Sequence, residues 1–481
     1  MPTSEPTISP SLAKALERIV GAEGIVASAD ELLVYECDGY TLERSRPDLV
    51  VLPRSTAEVA AVIRLLHEHD VRFVPRGAGT GLSGGCLPVA APVMISLSRM
   101  NRIVRIDAEN RTAIVEAGVV NRDVSTAAAP YGLHYAPDPS SQSACTIGGN
   151  LAENSGGPHT LKYGVTTNHV LAVEMVLADG RVVELGGALD DGPGYDLRGV
   201  TIGCEGTFGL VTGATLRLVP LPQGYRTFLA VFDRVDDASA AVSGIIAAGL
   251  VPAALEMMDG TMVQAVEAAY HFGFPLDAEA VLIVEIDGPT AGFDRQTERI
   301  AAISRESGAR EVRTAGSDAE RALLWKSRKR AFGAVGRLAP NYCTQDGVVP
   351  RTRVPDILRR IREIGAVHGL EIANVFHAGD GNIHPIVLYD ERRPGEVARV
   401  LAAGREILES CVALGGSLTG EHGIGVEKMD LLPLLFSDED MALMQRVRRA
   451  FDPDRRCNPH KIFPAESLGV EVSAPARRAA L

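Results

Sequence analysis

The sequence predicts an α+β protein of more than one domain, on three observations. The chain has 481 residues, too many for one ordinary hydrophobic core. From about residue 46 onward, short strand-like apolar runs alternate with helical periodicities. Pro220 and Pro222 interrupt that rhythm, which restarts at Tyr225 in a different order.

Taken along the chain, residues 11–20 read as a short helix. Residues 49–53, 56–69 and 72–75 read as strand, helix, strand, and further strands follow at 93–97, 103–106 and 112–115. Residues 170–177 and 181–185 form a hairpin around Ala178-Asp179-Gly180, and the run ending at Leu216-Arg217-Leu218-Val219 closes this region. The second region has strands at 228–232 and 281–286 and helices at 238–248, 262–270 and 293–307, the pattern of a small α+β sandwich. Helices at 318–338, 354–367, 394–414 and 438–451 are expected to surround a hairpin at 372–388. The expected organisation is an N-terminal helical segment (1–45), a first domain (46–224), a second domain with a helical C-terminal part (225–465) and a disordered tail (466–481) rich in Ala, Arg and Pro.

A net charge of −13 lacks the basic footprint of a nucleic-acid surface and disfavours binding to anionic lipid. The seven cysteines form no C-x-x-C pair and no iron–sulfur motif, which predicts free thiols in a reducing compartment. Residues 1–10 show no secretion signal. The uncharged run 238–255 is largely Ala, Gly and Ser with Pro252 inside it, so it predicts a packed helix ending near Gly249. Cytoplasmic placement is expected, without direct membrane insertion and with any membrane association through a partner.

Chemistry concentrates in His377-Ala378-Gly379-Asp380-Gly381-Asn382-Ile383-His384 and in Gly420-Glu421-His422-Gly423. Asp380-Gly381 is a two-residue hairpin signal that predicts pairing of 377 with 384, the two Cβ atoms about 5 Å apart on one face. Two imidazoles at that spacing suit a divalent metal. Glu421 would add a hard third ligand, leaving an open coordination position beside His422. The zinc-peptidase pattern His-Glu-x-x-His is absent, which weakens a hydrolase reading.

Three glycine-rich segments are the other signal. Pro75-Arg76-Gly77-Ala78-Gly79-Thr80-Gly81 runs on to Gly84-Gly85, but Pro88 and Pro92 follow where a dinucleotide-binding turn needs a helix. Its backbone amides could still form a phosphate-binding nest. Cys145 to Gly157 and Gly203 to Thr212 also read as loops between strands, with Cβ atoms removed where backbone would lie against something large and flat.

Together with Tyr35-Glu36-Cys37-Asp38-Gly39, Ala136-Pro137-Asp138-Pro139-Ser140-Ser141-Gln142 and Leu255-Glu256-Met257-Met258-Asp259, these segments resemble the FAD-linked oxidases of the vanillyl-alcohol oxidase (PCMH-type) superfamily along nearly the whole chain. Residues 374–385 with 420–425 resemble its 2-hydroxy-acid branch. The resemblance implies a PCMH-type FAD-binding domain of two α+β subdomains, followed by an α+β substrate domain. It implies FAD held by Arg76, Gly77, Ala78, Gly79, Thr80 and Gly81 at the pyrophosphate. Pro137, Ser141, Gly148, Gly149, Asn150, Gly156 and Gly157 would line the flavin, Glu205, Gly206 and Val211 would lie near the adenine half, and Asn458 would return the C-terminus to the flavin edge. Ala78 stands where members with histidyl-linked flavin have His, so non-covalent FAD is expected. Cys204 stands where the family usually has Ser.

The resemblance further implies a metal (zinc first, Mn or Fe as alternatives) on His377, His384 and Glu421. His422 would be the general base, and Arg328 would grip the substrate carboxylate. Thr344 replaces a lysine of the D-2-hydroxyglutarate enzymes, which favours a monocarboxylate such as glycolate or D-lactate. Implied partners are the 2-hydroxy acid and an electron acceptor, such as a flavin-domain subunit, an iron–sulfur subunit, a cytochrome, a quinone or O₂. The alternatives are a D-2-hydroxyglutarate-type dehydrogenase and a non-catalytic electron-transfer subunit.

Overall fold

A computed structural model describes residues 8–187 and 193–464; the tail expected to be disordered, 466–481, lies outside the described residues. The chain is mixed α and β throughout and divides into two compact units. Among the described residues, the first comprises 8–156, 165–187, 193–220 and 421–464, and the second comprises 157–164 and 221–420.

In the first unit, Ser9 caps helix Pro10–Val20, its hydroxyl accepting from the Leu12 amide at 3.2 Å, and Leu12, Leu16 and Val20 at i, i+4, i+8 form the buried stripe. A four-stranded sheet runs in the order Ile25–Val26, Leu49–Val51, Val93–Ser96, Phe73–Arg76. The last three are parallel, and the crossover helix Thr56–Glu68 joins two of them while burying Val59, Val62, Ile63 and Leu66. An antiparallel five-stranded sheet follows in the order Ile103–Asp107, Thr112–Glu116, Gly209–Arg217, Val170–Leu177, Val182–Gly186. These are the two α+β subdomains that the sequence led us to expect.

Several features of this unit differ from the sequence reading; strand Gly209–Arg217, for one, takes in 209–212, read as loop. Residues 147–153 are a short helix, Ile147–Glu153, rather than a loop: the Thr146 hydroxyl caps the Gly149 amide at 3.3 Å, and Ile147 and Leu151 anchor one face in the core. The last stretch, including helix Asp438–Phe451, packs in this compact unit, a placement the helical pattern does not foretell. Phe451 stacks on Phe208 with ring centroids 4.6 Å apart, and Cys457 bridges to the strand residue Phe73. Amphipathic periodicity locates a helix but carries no information about which core receives it.

The second unit is one eight-stranded antiparallel sheet. Its order is Ala309–Thr314, Gly224–Phe232, Ala280–Gly288, Ala254–Asp259, Ile372–His377, Asn382–Tyr389, Asn341–Thr344, with Gly347–Val348 also on Asn382–Tyr389. Strands Ala254–Asp259, Ala309–Thr314 and Asn341–Thr344 were not foreseen. Ala309–Thr314 is a charged edge strand, whose apolar alternation is weak because solvent covers it. The expected helix 318–338 is two helices, Asp318–Lys329 and Ala331–Val335, broken at Arg330.

Register fixes what each face of this sheet carries. Glu256 pairs with His377, Met258 with Val375, Glu285 with Thr227, and His384 with Val375. Directly opposed residues share a face, so Thr227, Glu285, Glu256, His377, His384 and Thr344 all stand on one side. Toward one end that side is apolar: Leu229, Val231, Ile283, Met258, Val375 and Ile386 pack with Met262, Val263 and Val266 of helix Gly260–Tyr270. Toward the other end it is polar. Among the described residues no helix is long and apolar enough to cross a membrane.

Candidate active site

The hairpin forms, but its register is not the one a two-residue turn would give. His377 pairs with Asn382, Phe376 with Ile383 and Val375 with His384, so four residues, 378–381, make the connection. The Gly381 amide donates to the His377 carbonyl at 3.2 Å, and Gly381 has φ +82°. A Cβ there would lie 2.1 Å from the Val349 carbonyl oxygen, so close backbone approach selects the longer turn. The slip is an even number of positions, so both histidines stay on one face, as diagonal rather than direct partners. Their ring centroids are 5.1 Å apart at an interplanar angle of 89°, and a ligating nitrogen of each lies within 4.8 Å of the other. Two imidazole donors so placed fit one divalent ion.

Beside them stands Arg328, 1% exposed, on helix Asp318–Lys329. Arg321, Trp325 and Arg328 form an i, i+4, i+7 stripe that docks on two buried sheet carboxylates. Glu285 accepts from Arg321 Nε at 2.8 Å, Arg321 Nη2 at 2.7 Å, Trp325 Nε1 at 2.6 Å and the Thr227 hydroxyl at 2.5 Å. Burial opposes ionisation of Glu285, but the hydrogen bonds from His159, Arg321 and Thr227 outweigh it and hold its pKa down at about 2. Glu256 accepts from Arg328 Nε at 2.5 Å. Arg328 Nη1 and Nη2 are buried with no hydrogen-bond partner among the described residues. Two parallel guanidinium donors left open in a buried position match one carboxylate.

Asp346, fully buried, organises the far side. Its Oδ1 accepts from Asn382 Nδ2 at 2.7 Å and lies 3.7 Å from His384 Nδ1, while its Oδ2 accepts from the Thr419 hydroxyl at 2.6 Å and the Gly420 amide at 2.9 Å. Thr344, opposite Ile386, is buried, and its hydroxyl has no partner among the described residues.

In the first unit the sites expected to hold the cofactor sort into two kinds. The amides of Gly77, Ala78, Gly79, Thr80 and Gly81 have no acceptor among the described residues, and Gly79 has φ +70°; consecutive open amides with such a twist fit an anionic group such as a pyrophosphate. Arg76 does not present its charge there: its guanidinium lies beneath the loop, donating to the Cys37 carbonyl at 2.9 Å, and a Cβ on Gly79 would meet Nη2 at 2.1 Å. The polar groups around Asn150 are consumed internally. The Gly148 amide donates to the Ala117 carbonyl at 2.7 Å, and Asn150 Oδ1 accepts from Asn121 Nδ2 at 2.9 Å, with Asn121 also donating to the Pro137 carbonyl at 3.1 Å. Pro137, Gly148 and Gly149 therefore offer surface rather than hydrogen bonds, and Ser141 is half-buried near them. Gly156 ends the first unit's segment and Gly157 begins the second's.

Glu205, at φ +50°, has both carboxylate oxygens occupied, by the amides of Ile424 and Gly425 at 2.7 Å each, so it anchors the loop that begins with Glu421 and His422. The His422 carbonyl is held by the Ser83 hydroxyl at 2.9 Å. Asn458 ties two loops together: its Nδ2 donates to the carbonyls of Gly85 at 2.8 Å and Glu205 at 2.6 Å, while its buried Oδ1 has no partner among the described residues. Gly206 has φ +67°, and a Cβ there would meet Pro75 at 2.4 Å; Val211 is half-buried next to a bulge in its strand. Beneath the loops lies a set of buried ionisable groups. Burial raises Asp38 to about 6 and Cys86 to about 12, and lowers Lys461 to about 8. Cys86 is therefore a thiol, and all seven cysteines are free.

Sequence reasoning named His377, His384 and Arg328 but gave no role to Glu256 or Asp346. The signal was present for Glu256: one carboxylate inside the apolar strand Ala254–Asp259 must be paired.

Comparison with known proteins gives the chain its relatives. Residues 47–186 match an FAD binding domain, and residues 221–462 match the C-terminal domain of FAD linked oxidases. The chain is 45% identical to "Glycolate oxidase subunit GlcD" of Escherichia coli (strain K12), over 95% of this chain and 92% of that protein. It is 33% identical to a D-lactate dehydrogenase of Anaerostipes hadrus, over 90% of this chain and 91% of that one. Its fold resembles p-cresol methylhydroxylase with substrate bound, with a TM-score of 0.81 at 17% identity, covering 96% of this chain and 98% of that one. The chain belongs to the FAD-linked oxidases and is an FAD-dependent oxidoreductase.

Proposed function

We propose that this chain oxidises a small 2-hydroxy monocarboxylate, glycolate or D-lactate, to the 2-oxo acid. The observation that carries the reading is the pair of buried, unpartnered Arg328 nitrogens beside the His377–His384 pair. A carboxylate donor site and a metal-fitting histidine pair together match the two adjacent functional groups of a 2-hydroxy acid. Relatives named glycolate oxidase subunit and D-lactate dehydrogenase support the same class. The absence of a cation at Thr344 supports a monocarboxylate over D-2-hydroxyglutarate.

Bound FAD supplies a hydride acceptor at N5, and a divalent metal (zinc is proposed, with Mn or Fe compatible with the same donors) supplies Lewis acidity toward a hydroxyl. His377, His384 and Glu421 would hold the metal; Glu421 follows Gly420, whose amide Asp346 fixes. Arg328 receives the carboxylate through its two open nitrogens, which sets the orientation of Cα. His422 takes the hydroxyl proton. The open amides of residues 77–81 would hold the FAD pyrophosphate, and Ala78 provides no side chain for a covalent flavin link. Electrons then leave to a partner, in line with relatives named as subunits; a flavin-domain or iron–sulfur subunit is the proposed class. A purely electron-carrying subunit would have no use for an open, buried guanidinium.

His422→Ala tests the base. It is expected to keep FAD while losing at least about 10²-fold in kcat; near-wild-type turnover rejects the assignment.

A further inference from the structure

Glu256 joins the two halves of the substrate-facing machinery through one carboxylate. It is 1% exposed, on the same sheet face as His377, which it opposes directly across the strand pair. An ionised carboxylate only accepts hydrogen bonds, so the 2.6 Å contact of its Oε1 with His377 Nδ1 places a proton on Nδ1. Its Oε2 takes the Arg328 Nε–H at 2.5 Å. With Nε held from behind, the guanidinium plane is set and Nη1 and Nη2 are left open. With Nδ1 protonated, the lone pair of His377 lies on Nε2.

We propose that Glu256 is a positioning residue that fixes the tautomer of His377 and the attitude of Arg328 together, so that the metal-binding nitrogen and the carboxylate-binding fork are held in one mutual geometry. The inference rests on the functional reading above and deepens it. A monodentate partner for either residue alone would leave the other free to rotate; one carboxylate spanning both couples them. Glutamine of the same shape cannot replace it. The Arg328 Nε–H can only donate, so it claims the amide oxygen, and the amide NH₂ then faces His377 Nδ1. That nitrogen must become an acceptor, which moves the ring proton to Nε2 and removes the lone pair a metal needs.

The test is Glu256→Gln in the full-length holoprotein, with zinc affinity read by chelator competition, the dissociation constant of glycolate read from saturation of the anaerobic flavin-bleaching rate, and flavin content and Tm as controls. The expected result is zinc affinity lowered by about 10–100-fold, as for loss of a partner behind a ligating histidine, and glycolate binding weakened at least about tenfold, with flavin content retained. A folded variant with wild-type zinc and glycolate affinities overturns the proposal. Should the single variant fail to fold, Glu256→Leu combined with Arg328→Met removes both the unpaired buried charge and the acceptor behind His377 Nδ1; unchanged zinc affinity in that double variant overturns the proposal and a drop supports it. If the wild-type chain itself takes no zinc, the metal reading fails separately. The glycolate arm then decides, read in Glu256→Leu, which leaves Arg328 Nε with no acceptor: weakened binding supports the coupling, and unchanged binding overturns it.

Discussion

The two units arrange their polar groups by opposite means. The first works through absence of side chains: residues 77–81 leave five consecutive amides open, while the polar side chains nearby, Asn150, Glu205 and Arg76, are spent on holding backbone in place. The second works through side chains on a regular sheet: Glu256, His377, His384 and Arg328 are placed by register and by one helix stripe, with backbone amides satisfied in the ladder. A backbone cradle suits a large cofactor that stays bound. A constellation of side chains suits a small substrate whose functional groups must be matched one by one.

That contrast predicts separable losses. The largest is expected from Arg328→Lys, which keeps the charge but removes the fork: kcat/KM for a 2-hydroxy monocarboxylate should fall about 10²–10³-fold with flavin content unchanged, measured by steady-state turnover and absorbance. Equal loss of flavin would break the separation. Gly79→Ala should do the reverse. It forces a side chain into φ +70° against Arg76, and is expected to weaken FAD at least about tenfold while leaving zinc content intact, as read by reconstitution of the apoprotein. A further effect is on stability. The pKa of Glu285 lies at about 2 in the folded chain against 4.5 ordinarily, so its contribution is present above pH 4.5 and is lost as pH falls through about 2. Glu285→Gln should therefore lower stability by about 3 kcal/mol at pH 7, with the deficit shrinking below pH 4.5, as followed by urea unfolding at pH 7 and pH 3.

The sequence carried the identity of the second unit's buried polar residues further than their geometry. His377, His384 and Arg328 were legible because their residue types are unusual in apolar surroundings. The turn between the histidines was not, because Asp-Gly favours two residues locally while the Val349 carbonyl pressing on Gly381 favours four. The hairpin survived that error because an even slip preserves the face. In the first unit the glycines marked the loop of open amides at 77–81, but helix Ile147–Glu153 hid inside a glycine cluster that propensity reads as loop, and only tertiary anchoring of Ile147 and Leu151 accounts for it. The burial of helix Asp438–Phe451 in the first unit rests on Phe208, more than two hundred residues away, a contact no local pattern encodes.

Anaerobic mixing of the FAD-loaded chain with a panel of 2-hydroxy acids tests the central claim most directly. Bleaching of the flavin by glycolate or D-lactate, with D-2-hydroxyglutarate slower, is the predicted result. A flavin that stays oxidised with every 2-hydroxy acid, in protein that carries both FAD and metal, would contradict it.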